Sequence, residues 1–94
     1  MNDIVSLRKK IDRIDKRLLR LLKKRQVLSL KIGYYKKNNN LDITDKKREK
    51  ELNKKIIKLS NELGLDEKYI NKLFSIIIHE SRKKQRTYGR TNKI

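Results

Sequence analysis

The sequence predicts an all-α protein of one long and two shorter helices, the long ones pairing between two copies into a helical homodimer. Three observations predict it. Apolar residues recur at alternating steps of three and four from Ile4 to Tyr35, proline is absent throughout, and the first break is the polar cluster Asn38-Asn39-Asn40. Such spacing over more than four repeats is a heptad seam, and a seam of that length forms only on a helix.

The first helix spans about residues 4–37, capped by Asn2 or Asp3. Its seam is Ile4, Leu7, Ile11, Ile14, Leu18, Leu21, Leu28, Ile32 and Tyr35, broadened by Val5, Leu19, Leu22 and Leu30. After the asparagines, poor helix formers, Asp42 and Thr44 offer caps for a second helix. It runs through Leu52, Ile56, Leu59 and Leu63 to Gly64, a residue suited to a left-handed C-terminal cap. Asp66 caps the third, which buries Tyr69, Ile70, Leu73, Phe74, Ile77 and Ile78 and fades near Tyr88. Residues 1–88 make one domain and 89–94 a frayed tail. At 1.5 Å per residue the first helix is about 50 Å long and the others on the order of 30 Å. Two short helices cannot cover so long a seam, and a two-fold dimer is the economical solution.

Composition narrows the chemistry. The 94 residues carry 28 Lys+Arg against 11 Asp+Glu, a formal charge of +17, with 35% apolar and 41% charged residues and no alanine. Such a balance suits a nucleic-acid or membrane-surface binder, or an enzyme handling a small anion. Low hydropathy with high charge is also the signature of disorder, which the sustained periodicity opposes. With no cysteine and His79 as the single histidine, a disulfide framework, a thiolate nucleophile, a multi-histidine metal site and a Ser/His triad all lack their parts. No metal or cofactor is expected. The Met1 end has no apolar signal region, and the longest apolar run is Ile76-Ile77-Ile78, so a soluble cytoplasmic protein is expected.

The informative places are where the stripes stop being apolar. Arg25 stands on the first seam between Leu21 and Leu28. Projecting the second stripe back from Ile56 and Leu52 reaches Glu49 and Asp45, and the third continues into Ser81 and Gln85. Each has a plain structural alternative. Arg25 can set register or pair with Glu49, Asp45 and Glu49 can complement a helix dipole, and Ser81 and Gln85 can be a fraying stripe. Their coincidence on faces that meet inside a bundle points to a polar, cationic pocket for an anion.

These residues also carry a resemblance. Leu7-Arg8-Lys9-Lys10-Ile11-Asp12-Arg13-Ile14-Asp15 with Leu18-Leu19, Leu21-Leu22 and Arg25 resembles the opening helix of the all-α chorismate mutases. Lys36 in Gly33-Tyr34-Tyr35-Lys36, the Asp-x-x-Arg-Glu element Asp45–Glu49, and Phe74-x-x-Ile77-Ile78-x-x-Ser81-x-x-x-Gln85 follow in order. The likeness covers about residues 4–86 and is greatest to the mutase domain at the N-terminus of bifunctional chorismate mutase/prephenate dehydratases. It implies an intertwined homodimer that rearranges chorismate to prephenate in aromatic amino-acid biosynthesis, without metal or covalent intermediate.

By the same likeness, Lys36 and Gln85 are catalytic donors to the ether oxygen. Arg25 pairs with a substrate carboxylate, and Arg8 reaches across from the partner chain. Asp45 and Glu49 hold the ring hydroxyl, Ser81 touches a carboxylate, Arg48 orders its neighbours, and His79 is a surface or packing residue. The chain stops soon after Gln85, which suggests a stand-alone enzyme or an excised or designed domain. The alternatives are an isochorismate pyruvate lyase-like enzyme on a related fold, a structural coiled coil, and a basic bundle binding nucleic acid through phosphates. The lysines are scattered over every exposed helical position rather than gathered on one face, so no specific nucleic-acid or membrane partner is expected.

Overall fold

The computed structural model describes residues 3–91. Asp3 begins the first helix, α1 (Ile4–Asn38), its carboxylate accepting the Ser6 backbone N–H at 2.7 Å. Of the two expected caps this is the one observed, and Asn2 lies outside the described residues. The asparagine cluster stops the helix by a specific device. Asn40 adopts φ 55°, a left-handed conformation that asparagine tolerates, while Leu41 N donates to Lys36 O at 2.8 Å and Asn40 N to Lys37 O at 3.3 Å. The second helix, α2 (Lys46–Glu62), ends the same way. Gly64 takes φ 72°, and Leu65 N and Gly64 N reach Ser60 O and Asn61 O at 2.9 and 3.2 Å. Asp66 then caps α3 (Glu67–Thr91) by accepting from Tyr69 N at 3.2 Å.

Three expectations are corrected. The cap of α2 is Asp45 rather than Asp42 or Thr44, because its Oδ1 lies 3.0 Å from the Arg48 N. The backward-projected stripe places Asp45 inside the helix, one position too far in. The third helix does not fade near Tyr88: α3 continues to Thr91, and residues 92–94 of the expected tail lie outside the described residues. Tyr69, expected on the buried side of α3, is 59% exposed.

The packing follows a face of α1 that the seam does not name. From Leu22 onward the more buried positions of α1 are Leu22, Arg25, Gln26, Ser29, Leu30, Gly33, Lys36 and Lys37, a stripe at helical spacing that shares Arg25 with the expected seam and otherwise runs beside it. At its centre Ser29 and Gly33 are buried, and α3 lies against them. A methyl group on Gly33 would stand 2.5 Å from Gln85 Cα and 2.6 Å from Gln85 O, so the backbones meet where no side chain intervenes. Helix α2 packs on α3 alone and makes no comparable contact with α1. The three helices therefore leave a gap between α1 and α2, floored by α3.

A single chain does not enclose a core. Among the described residues Ile70 is the sole buried apolar side chain, and Ile4, Ile11, Ile14, Leu18 and Leu21 are all at least half exposed. The chain measures 57 × 30 × 15 Å and presents 8327 Å² of surface, whereas a compact monomer of its mass presents about 5,800 Å². Most of its exposed large apolar side chains lie on α1.

Candidate active site

The gap between α1 and α2 is a cavity of about 400 Å³ lined from all three helices and from the 39–45 loop. From α1 come Arg25, Leu28, Ser29, Ile32 and Lys36. The loop and α2 give Ile43, Asp45, Arg48, Glu49 and Leu52, and α3 gives Ile78, Ser81, Arg82 and Gln85. Four cations face two carboxylates, so the cavity carries two net formal positive charges, a match for a dianion.

Two cross-helix contacts organise the α1–α3 wall. Lys36 Nζ donates to Gln85 Oε1 at 3.0 Å and to the Ile43 carbonyl at 2.7 Å. Lysine is a donor only, so the amide turns its oxygen to Lys36 and leaves its NH₂ to donate elsewhere. Gln85 is 8% exposed, held at this depth by the close approach at Gly33 one turn before Lys36. Further along, Arg25 Nη1 donates to Ser81 Oγ, and the Ser81 hydroxyl donates to the Ile77 carbonyl at 3.1 Å. Burial, and then the neighbouring Arg48 charge, lower the Arg25 pKa from its ordinary value. A guanidinium under that pressure is a site that a carboxylate relieves.

The α2 wall is held differently. Asp45 caps its helix, and Glu49 is gripped by Arg82, whose Nε donates to Oε2 at 2.9 Å and whose Nη2 donates to Oε1. The hydrogen bond to Glu49 raises the Arg82 pKa.

The structure thus brings together Arg25, Lys36, Asp45, Arg48, Glu49, Ser81 and Gln85 from the residues singled out in sequence. Arg48, expected only to order its neighbours, lines the cavity itself. Arg8 is not brought in: it stands 17 positions before Arg25 on the same unbroken helix, about 26 Å along the axis. His79 faces a separate groove between α2 and α3. Two contributors escape sequence reasoning. Arg82 reads as one more surface cation beside Ser81, and only its reach to Glu49 distinguishes it. Gly33 is legible as a motif letter but not as the point where α1 and α3 touch. No group of three or more His, Cys, Asp or Glu among the described residues is placed to hold a metal, and no helix among them is long and apolar enough to cross a membrane.

Fold and site together define an all-α protein with a net cationic cavity built across helices. The family model for chorismate mutase type II matches residues 7–86. Over 80 residues the chain is 44% identical to the bifunctional chorismate mutase/prephenate dehydratase of Buchnera aphidicola (subsp. Schizaphis graminum) and 36% to that of Escherichia coli K12, covering 85% of this chain and 21% of each relative. The Aquifex aeolicus protein of that name is 44% identical over 63 residues, 67% of this chain and 17% of the relative. The chain belongs to the chorismate mutase type II family, and so to a family of isomerases. It spans about a fifth of the length of the bifunctional relatives it matches.

Proposed function

We propose that the chain converts chorismate to prephenate in this cavity, by selecting the reactive conformer and stabilising the charge that develops as the ether C–O bond breaks, a step of aromatic amino-acid biosynthesis. The observation that carries this reading is the Lys36–Gln85 pair at 3.0 Å inside a cavity with two net positive charges. Nothing in an intramolecular Claisen rearrangement needs a nucleophile or a proton acceptor. It needs two carboxylates clamped and a donor pair at one oxygen. Arg25 offers the first clamp, with Ser81 holding the guanidinium in place and Arg48 adding charge. Lys36 has protons to spare beyond Ile43 O and Gln85 Oε1, and the Gln85 NH₂ donates beside it. Both are therefore available to the ether oxygen. Asp45 and Glu49, on the opposite wall, accept from or orient the ring hydroxyl.

The second clamp comes from another copy of the chain in this reading. The uncovered apolar seam, the surface excess of about 2,500 Å² per chain and the distance of Arg8 from its own cavity support an intertwined homodimer. An obligate dimer hides about 2,000–5,000 Å² in total. Pairing two α1 helices antiparallel about a two-fold axis near residues 16 and 17 sets Arg8 of one copy opposite Arg25 of the other and covers Ile11, Ile14 and Leu18.

Loss of chorismate absorbance with purified protein tests the activity. Lys36→Ala and Gln85→Ala should each lower kcat/KM on the order of 100-fold or more, as removal of a transition-state donor does; near-normal rates in both would sink the mechanism. The pH profile checks the same assignment. The lowered Arg25 pKa means that its charge is lost only as pH rises, never as it falls, and no histidine lines the cavity. The rate should therefore be flat between about pH 6 and 8, and a steep acid-side fall of kcat near pH 6 would contradict it.

A further inference from the structure

Arg82 stands at an unspecified position of the Phe74–Gln85 motif, yet it makes a two-pronged contact that joins α2 to α3. Its Nε and Nη2 take one oxygen each of Glu49. The pair stands between the cavity and the groove on the far side of α2 and α3, and both residues line both spaces. Side-chain exposures of 30% and 27% put it at the rim rather than in solvent.

The reason such a partner is needed lies in the composition of the cavity. Glu49 shares it with Arg25, Lys36 and Arg48. A mobile carboxylate among cations would pair with whichever it reached and cancel a charge on which an anionic substrate depends. Asp45 is kept from doing so because it caps its own helix on the Arg48 N–H. Glu49 has no such duty, and Arg82 supplies one. A side-on guanidinium occupies one acceptor site on each carboxylate oxygen and leaves the others free.

We propose that Arg82 is a positioning residue: it holds Glu49 on the α2 wall as an acceptor for the substrate hydroxyl and keeps it from quenching the cations that bind the carboxylates. This rests on the chorismate mutase reading of the cavity. Removing the fork frees Glu49 to fold onto Arg48 or Arg25, so the loss falls on substrate binding more than on the donor pair at Gln85.

The test is a double-mutant cycle on the full chain, with Lys36→Ala run alongside. Arg82→Leu should raise KM about tenfold and change kcat by less than about threefold. In a Glu49→Gln background, where no carboxylate remains to wander, the same substitution should raise KM less than about twofold. Arg82→Lys, which keeps the charge and the stem but loses the fork, should fall between wild type and Arg82→Leu. An equal KM rise whether Glu49 is present or replaced in the Glu49→Gln background would show that Arg82 acts on substrate or on the fold directly, and overturns the proposal, as does an unchanged KM. Thermal unfolding of each variant separates a folding defect: a lower Tm with unchanged KM also overturns it. If the wild type turns over no chorismate, or Lys36→Ala loses no rate, the reading of the cavity fails and this proposal with it. If those controls behave and the cycle is additive, Arg82's role alone fails.

Discussion

The two halves of α1 are written in one alphabet and do different work. Before residue 22 its apolar residues are left open to solvent by the rest of the chain: Ile11 is 55% exposed, Ile14 60% and Leu18 50%. From there on, α3 lies across the helix where Ser29 and Gly33 are buried and Leu22 and Leu30 are half-buried beside them. Leu28 and Ile32, still on the seam, are the apolar side chains that α1 gives to the cavity. One heptad pattern therefore serves two purposes, an uncovered stripe in the first half and a cavity wall in the second. Apolar periodicity says that a face leaves water. It does not say what it meets.

The sharpest way to break that division is to ask whether the first half supplies a residue to the second half of another chain. Arg8→Ala and Arg25→Ala should each lower kcat/KM on the order of 100-fold, since each removes a charge-assisted clamp on a carboxylate. Unfolding and refolding the two variants together should restore about a quarter of the wild-type rate, because half the dimers are mixed and each mixed dimer holds one intact site. No recovery on mixing would place both arginines in the service of one chain.

A smaller effect is expected from Leu18→Glu, in the half that its own chain leaves uncovered. In an isolated chain the change would be close to neutral at a half-exposed position. In a dimer it buries a carboxylate in the seam and should raise the dissociation constant on the order of 100-fold. Sedimentation against concentration reads this directly, with activity lost on dilution and regained at high protein.

The smallest is expected from Gly33→Ala, in the half that packs on α3. The added methyl meets Gln85 backbone atoms at 2.5 to 2.9 Å, which are not the free end of a side chain and must move as a helix. A cost of about 1–3 kcal/mol in unfolding free energy is expected, together with a kcat loss as Gln85 is pushed from Lys36. A variant with unchanged Tm and kcat would show that α1 and α3 separate more readily than this contact implies.

Much of the site is readable because helical spacing turns sequence into faces. Arg25 on an apolar seam, and Ser81 and Gln85 at the end of another, are anomalies that a 3.6-residue period exposes, and all three line the cavity. Asp45 falls in the right place on the wrong premise, since it caps α2 instead of belonging to its inner stripe. Tyr69 belongs by period to the buried stripe of α3, yet it lies in the first turn, where the neighbouring helix leaves it exposed. Arg82 is invisible in sequence because its importance is a pairing between residues 33 positions apart.

The sequence by itself determined the helices, their order and the stops of the first two. These depend on local chemistry: a capping carboxylate three residues from its N–H, a left-handed asparagine or glycine, and a period that no strand can satisfy. It also placed most of the polar groups of the cavity on their faces. The tertiary structure alone decided which face of α1 receives α3, which carboxylate pairs with which cation, and that Gly33 sets the depth of Gln85. Those outcomes depend on the distance between backbones and on competition among charges brought within a few ångströms. Neither quantity exists until the helices have packed.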